Sequence, residues 1–499
     1  MEFIDNLALG LATAISLNHL MYCFIGVLLG TLIGVLPGLG PIATIAMLLP
    51  LTYALTPVAA IIMLAGIYYG AQYGGSTTAI LINLPGESSS VVTALDGHQM
   101  ALQGRAGVAL CTAALASFFA GTVATFILAV FSPPLAALAL TFGPAEYFAL
   151  MTLGLVFSAS LASGSVVKAL AMIVFGLLLG LIGEDLYTGM PRMNLGVPDL
   201  IDGLDFAAIA MGMFGIGEIV RNLENEAQRK LIVQKIVRLM PDREDFRRMI
   251  APILRGTALG SALGILPGGG ATLSSFAAYT VEKRLADDPS RFGKGAIEAV
   301  AAPESANNAA AQTSFIPMLT LGIPSNPVMA LMIGALMIQG ITPGPNIVTE
   351  QPVLFWGVIA SMWIGNLMLV VLNLPLIGLW VRLLSVPYHL LFPAIVVICA
   401  VGVYSLRNNE FDIFTMAFFG TLGYALAKLD CEPAPFLLGF ILGPMLEENL
   451  RRAMLLARGD AIEMISRPIT ATLLVLAAGL LLLHIAPALR KTRSEITGE

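Results

Sequence analysis

A chain of 499 residues with 57% hydrophobic and only 12% charged residues and a mean hydropathy of +0.86 has too little charge to cover a water-facing surface. This excludes a soluble globular protein. The apolar runs lack strand alternation, which excludes an outer-membrane barrel, so an all-α polytopic membrane protein with about 10–12 transmembrane helices is expected.

In chain order, "MEFIDNLALGLATAISLNHL" carries Glu2 and Asp5 where a signal peptide would be basic, and residues 1–18 read as a retained N-terminal segment. Residues 19–220 form a first transmembrane repeat, with "GVLPGLG" (Gly34–Gly40), "YGGSTTAILINLPGESSS" (Tyr73–Ser90) and apolar spans at Ala106–Phe131 and Ser165–Gly183. The basic stretch 221–251 is a cytoplasmic linker by the positive-inside rule. A second transmembrane repeat follows at 252–447, then an amphipathic segment, a final span at Pro468–Leu489 and a basic tail over 448–499.

The two halves repeat one another. "GVLPGLG" returns as "GILPGGG" (Gly264–Gly270), "LINLPG" (Leu81–Gly86) as "LGIPSN" (Leu321–Asn326), and "VTALDGHQMALQG" (Val92–Gly104) as "VMALMIGALMIQG" (Val328–Gly340). The offset grows between the first and second motifs, which places an insertion in the charged "VEKRLADDPSRFGKG" (Val281–Gly295). Walking outward from the linker, charges put Lys168, Arg105 and Lys428 inside, and the Glu184–Asp205 loop, Ile341–Pro352 and the Glu410 turn outside. Matching loops fall on opposite sides, which predicts inverted topology. The arginine-rich 447–467 stretch dissents and reads as an interfacial amphipathic helix.

Proline and glycine inside a span release backbone groups that hydrocarbon cannot satisfy, so broken helices survive only where they line a cavity or are buried in protein. Paired breaks at matching places in two halves mark the midplane site of a transporter. Freed amides suit a carboxylate and freed carbonyls suit a sodium ion. Substrate contacts are therefore expected from Gly38, Gly40, Gly75, Ser76, Thr77, Thr78, Asn83, Pro85 and Gly86, and from Asn307, Asn308, Ser325 and Asn326 in the second half. Ion ligands are expected among Asn83, Glu304, Asn308 and Thr320. Ser88–Ser90 read as a solvated loop edge. Glu304 follows Pro303 and reads either as a functional intramembrane carboxylate or as the cap of a helix start.

The cysteines (Cys23, Cys111, Cys399, Cys431) read as small buried hydrophobes. Neither they nor the scattered histidines have metal-ligand spacing, so no metal or other cofactor is expected. A membrane-embedded enzyme or a passive anion channel is the alternative to a carrier. Nothing resembles a nucleic-acid site.

"GVLPGLGP", "YGGSTTAILINLPGESSSVVTALDGHQMALQGRAG" and "APESANNAAAQTSFIPMLTLGIPSNPVMALMIGALMIQGITPGP" closely resemble the large membrane subunit of the tripartite tricarboxylate transporters, the TctA family. The resemblance covers nearly the whole chain. It implies a multi-pass protein of the bacterial inner membrane, partnered by a small membrane subunit (TctB-like) and a periplasmic solute-binding protein (TctC-like). It further implies uptake of di- or tricarboxylates such as citrate with an ion, sodium, and kinship with elevator-type carriers. The family signatures fall on Gly74–Ser90, Pro303–Asn308 and Gly322–Asn326. Ser325 departs from the glycine expected after the proline.

Overall fold

A computed structural model describes residues 2–36, 40–160, 165–185, 187–217, 220, 239–266, 270–383 and 388–497. Gly38, the tip of the second proline-glycine motif and most of the basic linker lie outside the described residues. The chain is an all-α polytopic membrane protein. Four described helices are long and apolar enough to span a bilayer, at Leu17–Val35, Pro57–Ile82, within Ser88–Ala139 and at Pro352–Asn373, and seven shorter apolar helices accompany them. The one described sheet is a two-residue hairpin in which Gly183 pairs with Arg192.

Glycine spacing builds the centre. Gly26, Gly30 and Gly34 of the Leu17–Val35 helix lie against the carbonyls of Met63, Ile67 and Ala71 on Pro57–Ile82, so close that an added Cβ would sit 2.3–2.5 Å from each oxygen. Gly256, Gly260 and Gly264, each 230 positions later, meet Ala302, Ala306 and Ala310, each 239 positions later, at 2.2–2.5 Å. The motif alignment thus recurs contact by contact. Small residues four apart let backbones touch where lipid supplies no hydrophobic drive between helices.

The central partner of each pair is walled off from lipid. Residues 59–81 of one and 299–313 of the other are buried throughout, so polar side chains on them face protein. Pro303 lies well inside the Glu298–Thr313 helix, which rules out the reading of Glu304 as a helix-start cap. Three of the four cysteines are buried and Cys431 is half-buried.

Loops assigned to one side of the membrane meet one another. Arg105 pairs with Asp245 at 2.5 Å, and Lys168 Nζ donates to the Leu429 carbonyl at 2.6 Å. At the opposite sign, Asn409 donates to Asp199 at 3.0 Å, and Asp185 with Glu447 holds Arg192 and Arg451 at 2.6–3.3 Å. The arginines of the dissenting segment begin within one continuous helix, Pro433–Leu456, and Arg451 is neutralised by the acidic loop.

Two measurements probe this frame. Gly260→Val places a branched side chain against an immobile carbonyl, so it should lose about 1–3 kcal/mol or more of stability. Gly378→Val, where nothing lies within 4 Å, should leave the detergent-solubilised melting temperature unchanged. The backbone N–H of Thr188, followed by Arg451 and the Tyr187 N–H, holds the Asp185 carboxyl well below the usual aspartate range against some loss of hydration. Its stabilisation is then complete above the ordinary aspartate pKa and is lost only as pH falls through the depressed one. The melting-temperature gap between wild type and Asp185→Asn should accordingly persist through mildly acid pH and close only below it.

Candidate functional site

The Pro57–Ile82 helix and the Phe315–Leu321 helix that follows Glu298–Thr313 stop alike. Asn83 (φ 57°, ψ 29°) ends Pro57–Ile82, and Gly322 (φ 68°, ψ 21°), 239 positions later, ends Phe315–Leu321. Both take the left-handed conformation open to glycine and tolerated by asparagine. Four residues on, Glu87 (φ −148°, ψ 167°) and Asn326 (φ −157°, ψ 171°) start the next turns as N-caps.

Each break is held by the other half. Asn326 Nδ2 donates to the Tyr68 hydroxyl at 3.4 Å and to Ser314 Oγ at 3.1 Å, while its Oδ1 accepts from the Met329 N–H. Reciprocally, Asn307 Nδ2, 239 positions after Tyr68, reaches Ser89 Oγ at 3.5 Å. Ser89 donates to Gln72 Oε1 at 2.8 Å and to Glu87.

Glu304 is the carboxylate at the centre. It is fully buried and accepts from Ser76 Oγ at 2.7 Å, from Thr93 Oγ1 and, more weakly, from Ser117 Oγ at 3.4 Å. Asn308 Nδ2 donates to Ser117 Oγ at 2.7 Å and to Asn307 Oδ1 at 2.6 Å. Thus Ser76, Glu304, Asn307 and Asn308 form one hydrogen-bonded cluster across the two halves, with Asn326 tied in separately through Tyr68.

Other expected residues are outside that hydrogen-bonded cluster, although Thr77 lines a recess beside Glu304. Asn83 and Pro85 sit on the turn, Asn83 exposed and Pro85 half-buried. Gly40 starts the Pro41–Tyr53 helix with open space at its Cα. Thr78 donates to Gly75 O at 2.9 Å, Thr320 to Ile316 O at 2.7 Å, and Ser325 to Ser314 O at 3.5 Å. Gly75 makes room for the Glu87 side chain, and Gly86 lies 2.1 Å, measured to an added Cβ, from the Gly34 carbonyl. Thr77 donates to Tyr73 O at 3.4 Å.

Ser89 and Ser90 correct the solvated-edge reading. They are 1% and 0% exposed, because Ser90 closes a capping box with Glu87 and Ser89 bonds inward to Gln72; only Ser88 is exposed. Thr93, Ser117, Gln72 and Tyr73 were not among the expected residues. A lone hydroxyl in an apolar helix carries no sequence signal, since it commonly bonds its own turn.

Asp96 does carry one, because it replaces Met332 of the repeat. Its buried carboxylate accepts from the N–H groups of Gly293, Gly295 and Ala296 at 2.8–2.9 Å and from the Tyr279 hydroxyl at 3.2 Å. Gln103 adds a bond to the Lys294 carbonyl at 2.8 Å. The loop that leads into the Glu304 helix is therefore hung on the first half.

A family model described as the tripartite tricarboxylate transporter TctA family matches residues 20–438. The chain belongs to the TctA family. It is also similar to an uncharacterized 52.8 kDa protein in the TAR-I ttuC' 3' region of Agrobacterium vitis, 60% identical over 99% of both chains. A protein in the TAR-II ttuC' 3' region of the same organism is 61% identical over 48% of this TctA chain and 98% of its own length. No solved structure matches.

For this TctA chain, Asp96→Ala orphans three backbone N–H groups, and each orphan is costly. It should lower stability by about 1–3 kcal/mol and open residues 287–294 to limited proteolysis. Asp96→Asn, which keeps one acceptor oxygen, should fall between. Wild-type protease resistance in the alanine variant would mean that the loop is held by something else.

Proposed function

We propose that this chain is the substrate-translocating subunit of a binding-protein-dependent tripartite transporter, taking up di- or tricarboxylates such as citrate together with sodium. The reading rests on family membership and, above all, on the two matched helix breaks, each hydrogen-bonded from the opposite half beside a buried polar cluster. Such a pair presents freed amides and carbonyls at one depth, where a carboxylate and a cation can be held without an arginine clamp. The repeats at 19–220 and 252–447 are inverted about the linker at 221–251, in the bacterial inner membrane. The contacts between loops of like expected sidedness favour that arrangement. Its partners are a small membrane subunit and a periplasmic solute-binding protein, and its motion is of the elevator type.

The recess beside Glu304 offers only about 10 Å³ to a water-sized sphere, far less than a carboxylate substrate needs. The breaks must therefore separate or shift during a cycle. Weak holding of cargo by dipoles and hydroxyls suits release on the far side and leaves capture from dilute solution to the binding protein.

Proteoliposomes carrying the chain, the small subunit and the binding protein should concentrate labelled citrate when a sodium gradient is imposed, and little without it. Downhill equilibration alone would point to a channel. Asn83→Gly keeps the left-handed turn and removes the amide, so expression should hold while uptake falls about tenfold or more. Uptake within a factor of about two of wild type would remove Asn83 from the site. Gly86→Val is no substitute for this test, because its Cβ strikes the Gly34 carbonyl and reads packing instead.

A further inference from the structure

Glu304 poses a charge problem. It is fully buried, and every described side-chain donor to it is a neutral hydroxyl or amide. An ionised carboxylate in such surroundings, with no positive partner, is unfavourable by several kcal/mol. Its charge is removed by a bound proton or balanced by a bound cation.

The place for it lies alongside. A recess between the Pro57–Ile82, Ala106–Ala139, Glu298–Thr313 and Pro352–Asn373 helices is lined by Tyr73, Ser76, Thr77, Ser117, Glu304 and Asn373, together with the apolar Leu110, Ala113, Ala114, Leu374 and Ile377. It admits about 10 Å³, close to a single water-sized sphere. Two oxygens of these lining residues, the Tyr73 hydroxyl and Asn373 Oδ1, have no described hydrogen-bond partner, although the residues are only 4% and 5% exposed. Asn373 has already used its nitrogen, which donates to Leu369 O at 2.9 Å and to Thr31 Oγ1 at 3.4 Å. Buried polar atoms are left unpaired in few native structures, and then for a reason.

We infer that this recess is a binding site for one small monovalent cation, coordinated by Glu304 together with the oxygens of Tyr73, Ser76, Thr77, Ser117 and Asn373. The donor set is all oxygen, which suits a hard cation and not a thiophilic one. It holds one carboxylate, which balances a single positive charge; a divalent ion would leave a surplus charge in the interior. The ligands come from four helices and both halves, so an occupied site ties the halves together. Its role as the coupling site rests on the transport reading above, whereas binding itself does not.

The probe is sodium, added to the purified full chain in detergent against choline at equal ionic strength and fixed pH. Sodium should raise the melting temperature saturably, and calorimetry should give one site. Glu304→Gln should abolish the response. Tyr73→Phe should weaken sodium binding about tenfold, the loss of one good contact, while leaving the melting temperature in choline unchanged, because its hydroxyl has no protein partner to lose. Tyr69→Phe, also buried but packed on Gly365 away from the recess, should respond to sodium as wild type does. An absent sodium response, a Tyr73→Phe variant that binds as wild type, or stabilisation by acid with none by sodium would each overturn the site. Sodium-dependent uptake without this binding would remove the site and leave the transport reading standing; binding without any uptake would do the reverse.

Discussion

Direct contact between helix backbones is the constraint from which the rest follows. Gly26, Gly30 and Gly34, and their counterparts Gly256, Gly260 and Gly264, remove the side chains that would hold the central helices at ordinary spacing. In lipid, where apolar side chains gain nothing by leaving one hydrocarbon for another, such intimate packing is the available glue. It also has a second effect. A helix encased in this way can carry Gln72, Ser76, Glu304, Asn307 and Asn308 without presenting them to the membrane.

The halves are folded into each other as well as onto themselves. Tyr68 and Asn307 stand at equivalent positions, and each reaches the break of the opposite repeat. Glu304 belongs to the second half, yet its hydroxyl donors Ser76, Thr93 and Ser117 all come from the first. A polar cluster assembled in this way exists only when both halves are correctly docked. Its geometry is consequently sensitive to any relative movement of the two.

What could be read from the sequence was the part written in glycine and proline. These residues are conspicuous in an apolar chain because their backbone consequences are large, and their spacing set the repeat register that the glycine contacts reproduce. Asn83 and Gly322 share a backbone conformation although their side chains differ, and only the neighbouring prolines aligned them. The hydroxyls of Thr93 and Ser117 were illegible because their partner lies about two hundred residues away in sequence, and serine or threonine in a membrane helix is unremarkable on its own. Ser89 was misread because a run of three serines looks like a solvated edge until the fold turns two of them inward. Gly38 and residues 221–238 of the linker lie outside the described residues, where the reading stands as an expectation.

The carboxylate of Asp96 has a mechanical meaning. It grips the loop entering the Glu304 helix by successive amides, with Gln103 fastening the same loop a few residues away. The Val91–Met100 helix of the first half and the Glu298–Thr313 helix of the second are thereby bolted into a single piece. If cargo crosses the bilayer by displacement of part of the protein, these two segments travel together, and the sliding surface must lie elsewhere.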